Sequence, residues 1–254
     1  MIAASELLDS LPYYLWPFLR VSALFLVAPV FSATNIPVRV RVILGLAVAA
    51  LLAPLVAGEV AVDTLSASGL LLAAREIIIG VMMGFVVQLA FAAVIVAGET
   101  LAMSMGVGFA LSVDPQNGIQ VPVVSQLNVI LATLLFLAVD GHLLLLGALA
   151  DSFQLLPLQP VGLEAGLFLD VFQLAAQVFA TAVALALPAL TAVLMTNIAF
   201  GVITRAAPQL NIFAVGFPVT IAVGLVFMML ALPAFLDRFG GALSLAIKQS
   251  VGLF

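Results

Sequence analysis

The chain alternates between long apolar runs and short polar breaks. The runs fall at Tyr13–Ala33, Val42–Ala57, Ile77–Gly98, Val121–Val139, Val171–Ile203 and Ile212–Leu236. A helix crossing a hydrocarbon layer of about 30 Å needs roughly 20 residues at a rise of about 1.5 Å each. By that measure Val42–Ala57 is short and Val171–Ile203 is long. Pro17, Pro29, Pro54, Pro188 and Pro233 interrupt the runs. Each removes a backbone donor and is expected to kink its helix unless a neighbour satisfies the freed carbonyl. The pattern predicts an all-α membrane protein of bent and broken helices.

The connections differ in charge. Thr34–Arg41 holds Arg39 and Arg41 and reads as cytoplasmic by the positive-inside rule. His142–Asp170 has no Lys or Arg but holds Asp151, Glu164 and Asp170, and reads as an outside connection. Arg205 points back to the cytoplasm, as do Arg238 and Lys248, yet a full crossing by Ile212–Leu236 would put those last two outside. Six crossings and the charge rule therefore conflict: either one run does not cross, or the chain is not a simple serpentine. The pentapeptide L-A-L-P-A occurs at Leu185–Ala189 and again at Leu230–Ala234. Repeated halves mark some transporters, but five shared residues in so Leu- and Ala-rich a chain lie within chance.

Composition narrows the classes. Of 254 residues 65% are hydrophobic and 7% charged, with a mean hydropathy of +1.37. Such a surface is too poor in charge for a water-soluble domain. There is no cysteine and one histidine, His142, which excludes disulfides, a Cys nucleophile and a multi-His metal site within one chain. No cofactor is implied. A net charge of −5 with seven Lys+Arg argues against nucleic-acid binding. The N-terminal M-I-A-A-S-E-L-L-D-S-L-P is acidic where a secretory signal is basic, and reads as retained. G-x-S-x-G, H-E-x-x-H and the Walker glycine loop are all lacking, so the chain does not read as an enzyme.

Ionisable groups among apolar runs are functional suspects because lipid makes them costly. Arg20 lies inside the first run, Arg75 and Glu76 open the third, and Glu99 closes it. Buried charge pairing, across an interface, is the expected role of Arg20, Arg75 and Glu76. Two readings are open for Glu99, Asp140 and His142: a proton relay in a small-solute transporter, or charges at helix ends in polar surroundings. Met103–Gly118, M-S-M-G-V-G-F-A-L-S-V-D-P-Q-N-G, mixes glycines and turn dipeptides with Met105, Val107, Phe109 and Leu111. Irregular apolar backbone is tolerated at membrane depth only beside protein or a water-filled cavity. A deformable constriction and a re-entrant turn packed on its own helices both fit. Arg205–Val219, R-A-A-P-Q-L-N-I-F-A-V-G-F-P-V, is a second polar, proline-broken stretch between apolar runs.

Five blocks in order resemble the FliR family of flagellar and injectisome type III export-apparatus proteins. They are A-P-V-F…N-I-P-V-R-V-R (Ala28–Arg41), M-G-V-G-F-A-L-S-V-D-P (Met105–Pro115), L-F-L-A-V-D-G-H-L (Leu135–Leu143), D-S-F-Q-L-L-P (Asp151–Pro157) and R-A-A-P-Q-L-N-I-F-A-V-G-F-P (Arg205–Pro218). The resemblance covers nearly the whole chain. It implies a single export-gate domain over 1–254, made of kinked hydrophobic hairpins that stack with FliP and FliQ in a helical hetero-oligomer. Unfolded export substrates would pass through its pore, with FlhB docked alongside. It places the chain in the bacterial inner membrane at the flagellar basal body, part of it raised toward the periplasm. It also implies that a loop comprising Met105, Gly106, Val107, Gly108, Phe109, Leu111, Asp114 and Pro115 plugs the closed pore. Arg205, Pro208, Gln209, Asn211 and Pro218 then form a hinge or an inter-subunit contact, where polar side chains serve the backbone groups freed by proline. The rival expectation is a secondary transporter built on Glu99, Asp140 and His142.

Overall fold

The computed structural model describes residues 4–56, 64, 66–107, 123–159, 166–207 and 212–252. Every regular element among them is an α-helix: α1 (Ala4–Val27), α2 (Val38–Val56), α3 (Ala67–Ser104), α4 (Val123–Ala138), α5 (Gly141–Leu155), α6 (Gly166–Ala206), α7 (Ile212–Leu230) and α8 (Leu232–Gly252). The fold is all-α. Three stretches, in α2, α3 and α6 (Leu169–Ala206), are long and apolar enough to cross a membrane. The pairs α4 with α5 and α7 with α8 each pass the same test together, as a broken span or a re-entrant loop, giving at most five among the described residues.

α2, α3 and α6 begin before their apolar runs do. Pro37 precedes α2, and its carbonyl accepts from the amides of Val40 (3.0 Å) and Arg41 (3.3 Å). The basic stretch thus forms the first turn of a helix, an arrangement that proline just outside the start favours. His142–Asp170, expected as an open connection, holds α5 and the start of α6. The sign was its buried set, Leu145, Ala148, Leu149, Ser152 and Phe153, which repeats with one-face helical spacing. Asp140 separates α4 from α5 by adopting the left-handed region (φ 55, ψ 29), a conformation Asp tolerates better than most residues.

Prolines fall into two kinds. Pro12 and Pro17 lie inside α1, Pro54 inside α2, Pro188 inside α6 and Pro218 inside α7. Pro29 and Pro233, expected as internal kinks, instead lie at ends: α1 stops before Pro29, and Pro233 occupies the first turn of α8. There a missing amide costs nothing, because the first amides of a helix have no intrahelical partner.

The described residues fall into two compact units. One comprises α1, α2, α3 up to Leu89, α5, and the adjoining ends of α6 and α8. Within it α3 meets α1 through Gly80 and Gly84. A Cβ at 84 would lie 3.0 Å from the Ala28 amide nitrogen and the Leu24 carbonyl, and one at 80 would collide with the Arg20 carbonyl. Glycines four apart let two helix backbones approach this closely. Gly45 of α2 also faces α1, where a Cβ would stand at ordinary contact distance from the side chains of Ser22 and Phe18.

The other unit comprises α3 from Ala90, α4, α6 from Ala176, α7 and α8 as far as Ala242. Phe91 packs edge-on against Phe136 and Phe239, with ring centroids 5.9 and 5.4 Å apart. In the same unit Pro188 leaves the Ala184 carbonyl without its helical donor, and Arg238 of α8 supplies one, Nη1 donating over 3.0 Å. Arg238→Ala is expected to cost about 1 kcal/mol where Pro188 is present, and close to nothing in a Pro188→Ala background. A double-mutant cycle of thermal stability in detergent measures that coupling.

Candidate functional site

The loop stem lies in the second unit. Helix α3 ends in a Schellman motif: Val107 donates to the Ala102 carbonyl (3.1 Å) and Gly106 to that of Met103 (3.0 Å), with Gly106 at φ +82. Only glycine takes that position without strain. Gly106 therefore fixes the direction in which the chain leaves α3. Val107 packs on the core cluster of Leu101, Ala102, Met105, Val124, Ala189 and Val193, together with Ile221 and Met228.

The stem is docked on α7. Met105 is 1% exposed, and its side chain fills a notch that exists because residue 224 is glycine: a Cβ there would overlap Met105 Cε. Thr220 Oγ1 has two acceptors for its one proton, the Met105 carbonyl at 3.2 Å and the Phe217 carbonyl of its own helix at 3.0 Å. Asn197 Nδ2 of α6 donates to the Ser104 carbonyl at 3.1 Å. Two carbonyls orphaned by the end of α3 are thus satisfied by neighbouring helices. Phe217 lies 3.1 Å from where a Cβ on Gly106 would sit. Thr220 and Gly224 were missed in the sequence; the available signal was Phe217, Thr220, Gly224 and Met228 along one helix face. Gly108, Phe109, Leu111, Asp114 and Pro115 lie outside the described residues.

In the first unit the structure brings Arg20, Arg75 and Glu76 together. Arg20 Nε donates to Glu76 Oε2 at 2.6 Å, with both side chains fully buried. Its Nη1 donates to Ser152 Oγ (3.0 Å) and Nη2 to the Leu156 carbonyl (3.0 Å). The Phe153 ring lies 4.0 Å from Arg20 Cζ. Ser152 donates onward to the Leu149 carbonyl at 2.6 Å. Arg75 Nη1 stands 3.5 Å from Glu76 Oε1 and donates to the Pro157 carbonyl at 2.8 Å. The partners of Arg20 are in the same chain, where the sequence had pointed to a contact across an interface. The cluster ties the carbonyl end of α5 to α1 and α3, and cations belong at such an end. Glu76, Gly80 and Gly84 recur every four residues, so the glycine face that admits α1 also carries the carboxylate. That register was visible in the sequence.

The remaining candidates are dispersed. Arg205 is exposed in the last turn of α6, and Pro218 lies inside α7. α7 begins at Ile212, where the apolar run begins, so Pro218 lies within the helix. Pro208, Gln209 and Asn211 lie outside the described residues. Glu99 is exposed on α3 in one unit; Asp140, exposed, and His142, half-buried, belong to the other. Among the described residues no group of three or more His, Cys, Asp or Glu is placed to hold a metal ion.

Long apolar helices, a charge cluster spent inside the protein and an apolar loop stem define an integral membrane protein whose internal polar groups serve packing. The chain matches the family of bacterial export proteins, family 1, over residues 11–246, and belongs to that family. It is 40% identical to the flagellar biosynthetic protein FliR of Escherichia coli (strain K12), over 91% of this chain and 88% of that one. With the protein of the same name from Pectobacterium carotovorum it shares 40% identity over 90% and 87%. With that of Bacillus subtilis (strain 168) it shares 28% over 96% and 95%.

Proposed function

We propose that this chain is a core subunit of the flagellar type III export gate. It works as one export-gate domain over residues 1–254, in the bacterial inner membrane, with part of the chain raised toward the periplasm. It stacks with FliP and FliQ to enclose a pore for unfolded export substrates, with FlhB alongside, and has no catalytic chemistry of its own. The observation that carries the reading is similarity to export proteins along nearly the full chain. The structure adds physical support. Two of seven basic residues, Arg20 and Arg75, are buried in internal pairing, while α2 exposes Ile43, Leu51 and Leu55 and α6 exposes Phe172, Phe179 and Met195. Apolar faces of this extent suit lipid and neighbouring subunits alike.

Closure is assigned to the loop running from Met105 through Pro115, an apolar constriction that excludes water and ions without charged residues. The segment at 205–218 serves as a hinge. Native mass spectrometry tests the assembly. Co-expression with the FliP and FliQ counterparts is expected to yield a defined hetero-oligomer, absent when the chain is expressed alone. A homo-oligomer indifferent to those partners would overturn the reading.

A further inference from the structure

We propose that a water molecule is built into the break between α7 and α8, held by the Met228 carbonyl, the Leu232 amide and the side chain of Asn128. The helical ladder runs as far as Ala231, whose amide donates to the Phe227 carbonyl at 2.8 Å, and resumes where Phe235 donates to the Ala231 carbonyl at 2.9 Å. Across that break the axis turns by 61°. Pro233 has no amide to offer Met229, and among the described residues no donor reaches the carbonyls of Met228 or Leu230. Backbone polar groups at membrane depth need partners, and ordered water is one way a broken helix finds them. A water inserted between a carbonyl and the amide four residues on is also a recognised cause of a sharp kink.

The surroundings fix where that water lies. A cavity of about 30 Å³ is bordered by Met228, Ala231 and Leu232 at the break and by Asn128 of α4. Asn128 stands on the core face of α4, between Val124 and Ala132, and is 6% exposed. Gly98 of α3 leaves room for its amide: a Cβ there would stand 3.1 Å from Asn128 Nδ2. Buried side-chain amides are as a rule hydrogen-bonded, yet among the described residues nothing in the chain pairs with this one. The amide and the interrupted ladder thus lack partners on the border of the same cavity.

Size and charge name the ligand. A water needs about 10–15 Å³ of such space and two to four polar partners, so the cavity admits one or two waters and no organic molecule. Leu101, Leu131, Leu185 and Phe235 complete an apolar wall, and among the described residues no carboxylate borders it. A metal cation there would have no counter-charge. Water meets the need from both sides: it accepts from the Leu232 amide, donates to the Met228 carbonyl, and bonds the Asn128 amide with what remains.

A density map of the purified protein, fine enough to show ordered waters, tests the site. Expected is a peak within about 3 Å of the Met228 oxygen, the Leu232 nitrogen and the Asn128 amide. The lack of a peak beside an ordered Asn128 would overturn the proposal. So would a direct bond from Asn128 to the Met228 carbonyl, or a peak with six or more oxygen ligands at about 2.3–2.6 Å, the mark of a cation. Asn128→Leu keeps the shape and removes the amide. Its peak should vanish, and its melting temperature in detergent should fall by roughly 2–4 °C; a melt equal to or above the parent's would overturn the proposal as well. The map of the parent chain decides the question even if that variant fails to accumulate.

Discussion

Glu76→Ala is expected to destabilise the first unit by about 3–5 kcal/mol, the cost of breaking a buried ion pair from one side. The carboxylate is the only anion in contact with Arg20 and Arg75 among the described residues. Without it two buried arginines lose their counter-charge and keep only carbonyls and one hydroxyl as partners. The melting temperature of the purified chain in detergent should fall by on the order of 10 °C, and less protein should accumulate in the membrane. Glu76→Gln keeps an acceptor and the shape, and should lie between the two. Replacing Arg20 and Glu76 together by Met and Leu should recover most of the loss, because apolar packing often matches a buried pair in energy. A melt of Glu76→Ala indistinguishable from the parent would show that the cluster contributes nothing to the fold.

Deleting residues 108–118 is expected to turn a closed gate into a leaky one. The deletion spares Met105, Gly106 and Val107, so the Schellman stop and the docking on α7 remain intact. If the loop favours the closed arrangement by only about 1.4 kcal/mol, its loss raises the open population about tenfold. Ion conductance of the reconstituted complex in planar bilayers reads this directly. Unchanged conductance would remove the loop from the closing mechanism. Substitutions at Glu99 and His142, and Asp140→Asn, which keeps a residue tolerant of the left-handed turn, should leave conductance and export close to the parent, since the transporter alternative alone gives their ionisable groups a role.

The legible parts of the fold were those where hydropathy and helix coincide. The run Val121–Val139 became α4, and Val171–Ile203 became the body of α6. Hydropathy failed where a helix is amphipathic or a break falls between apolar residues. α8 carries Asp237, Arg238 and Lys248, so an average over its length looks unlike a crossing. The break near Ala231 falls inside a continuous apolar run, with the L-P dipeptide of Leu232 and Pro233 as its sole sign. At Asp140 the D-G dipeptide did mark the break. Of the candidate site, residue types at Arg20, Arg75 and Glu76 invited suspicion, but separation along the chain says nothing of partners. The same limit hid the docking of α3 on α7: Thr220 and Gly224 look unremarkable until the end of α3 is placed against them.

The length of α6 bears on how this protein lives in a cell. Its apolar stretch is bounded by Asp170 and Arg205, and about 52 Å of helix separates them. To hide that length in a hydrocarbon layer of about 30 Å the helix would need a tilt near 55°, beyond the usual range of about 0–40°. An unassembled copy therefore presents several turns of Phe, Met and Ile to water or headgroups. If the chain is the gate subunit proposed above, its neighbours would have to cover that length, and its steady-state level in the membrane would follow their supply.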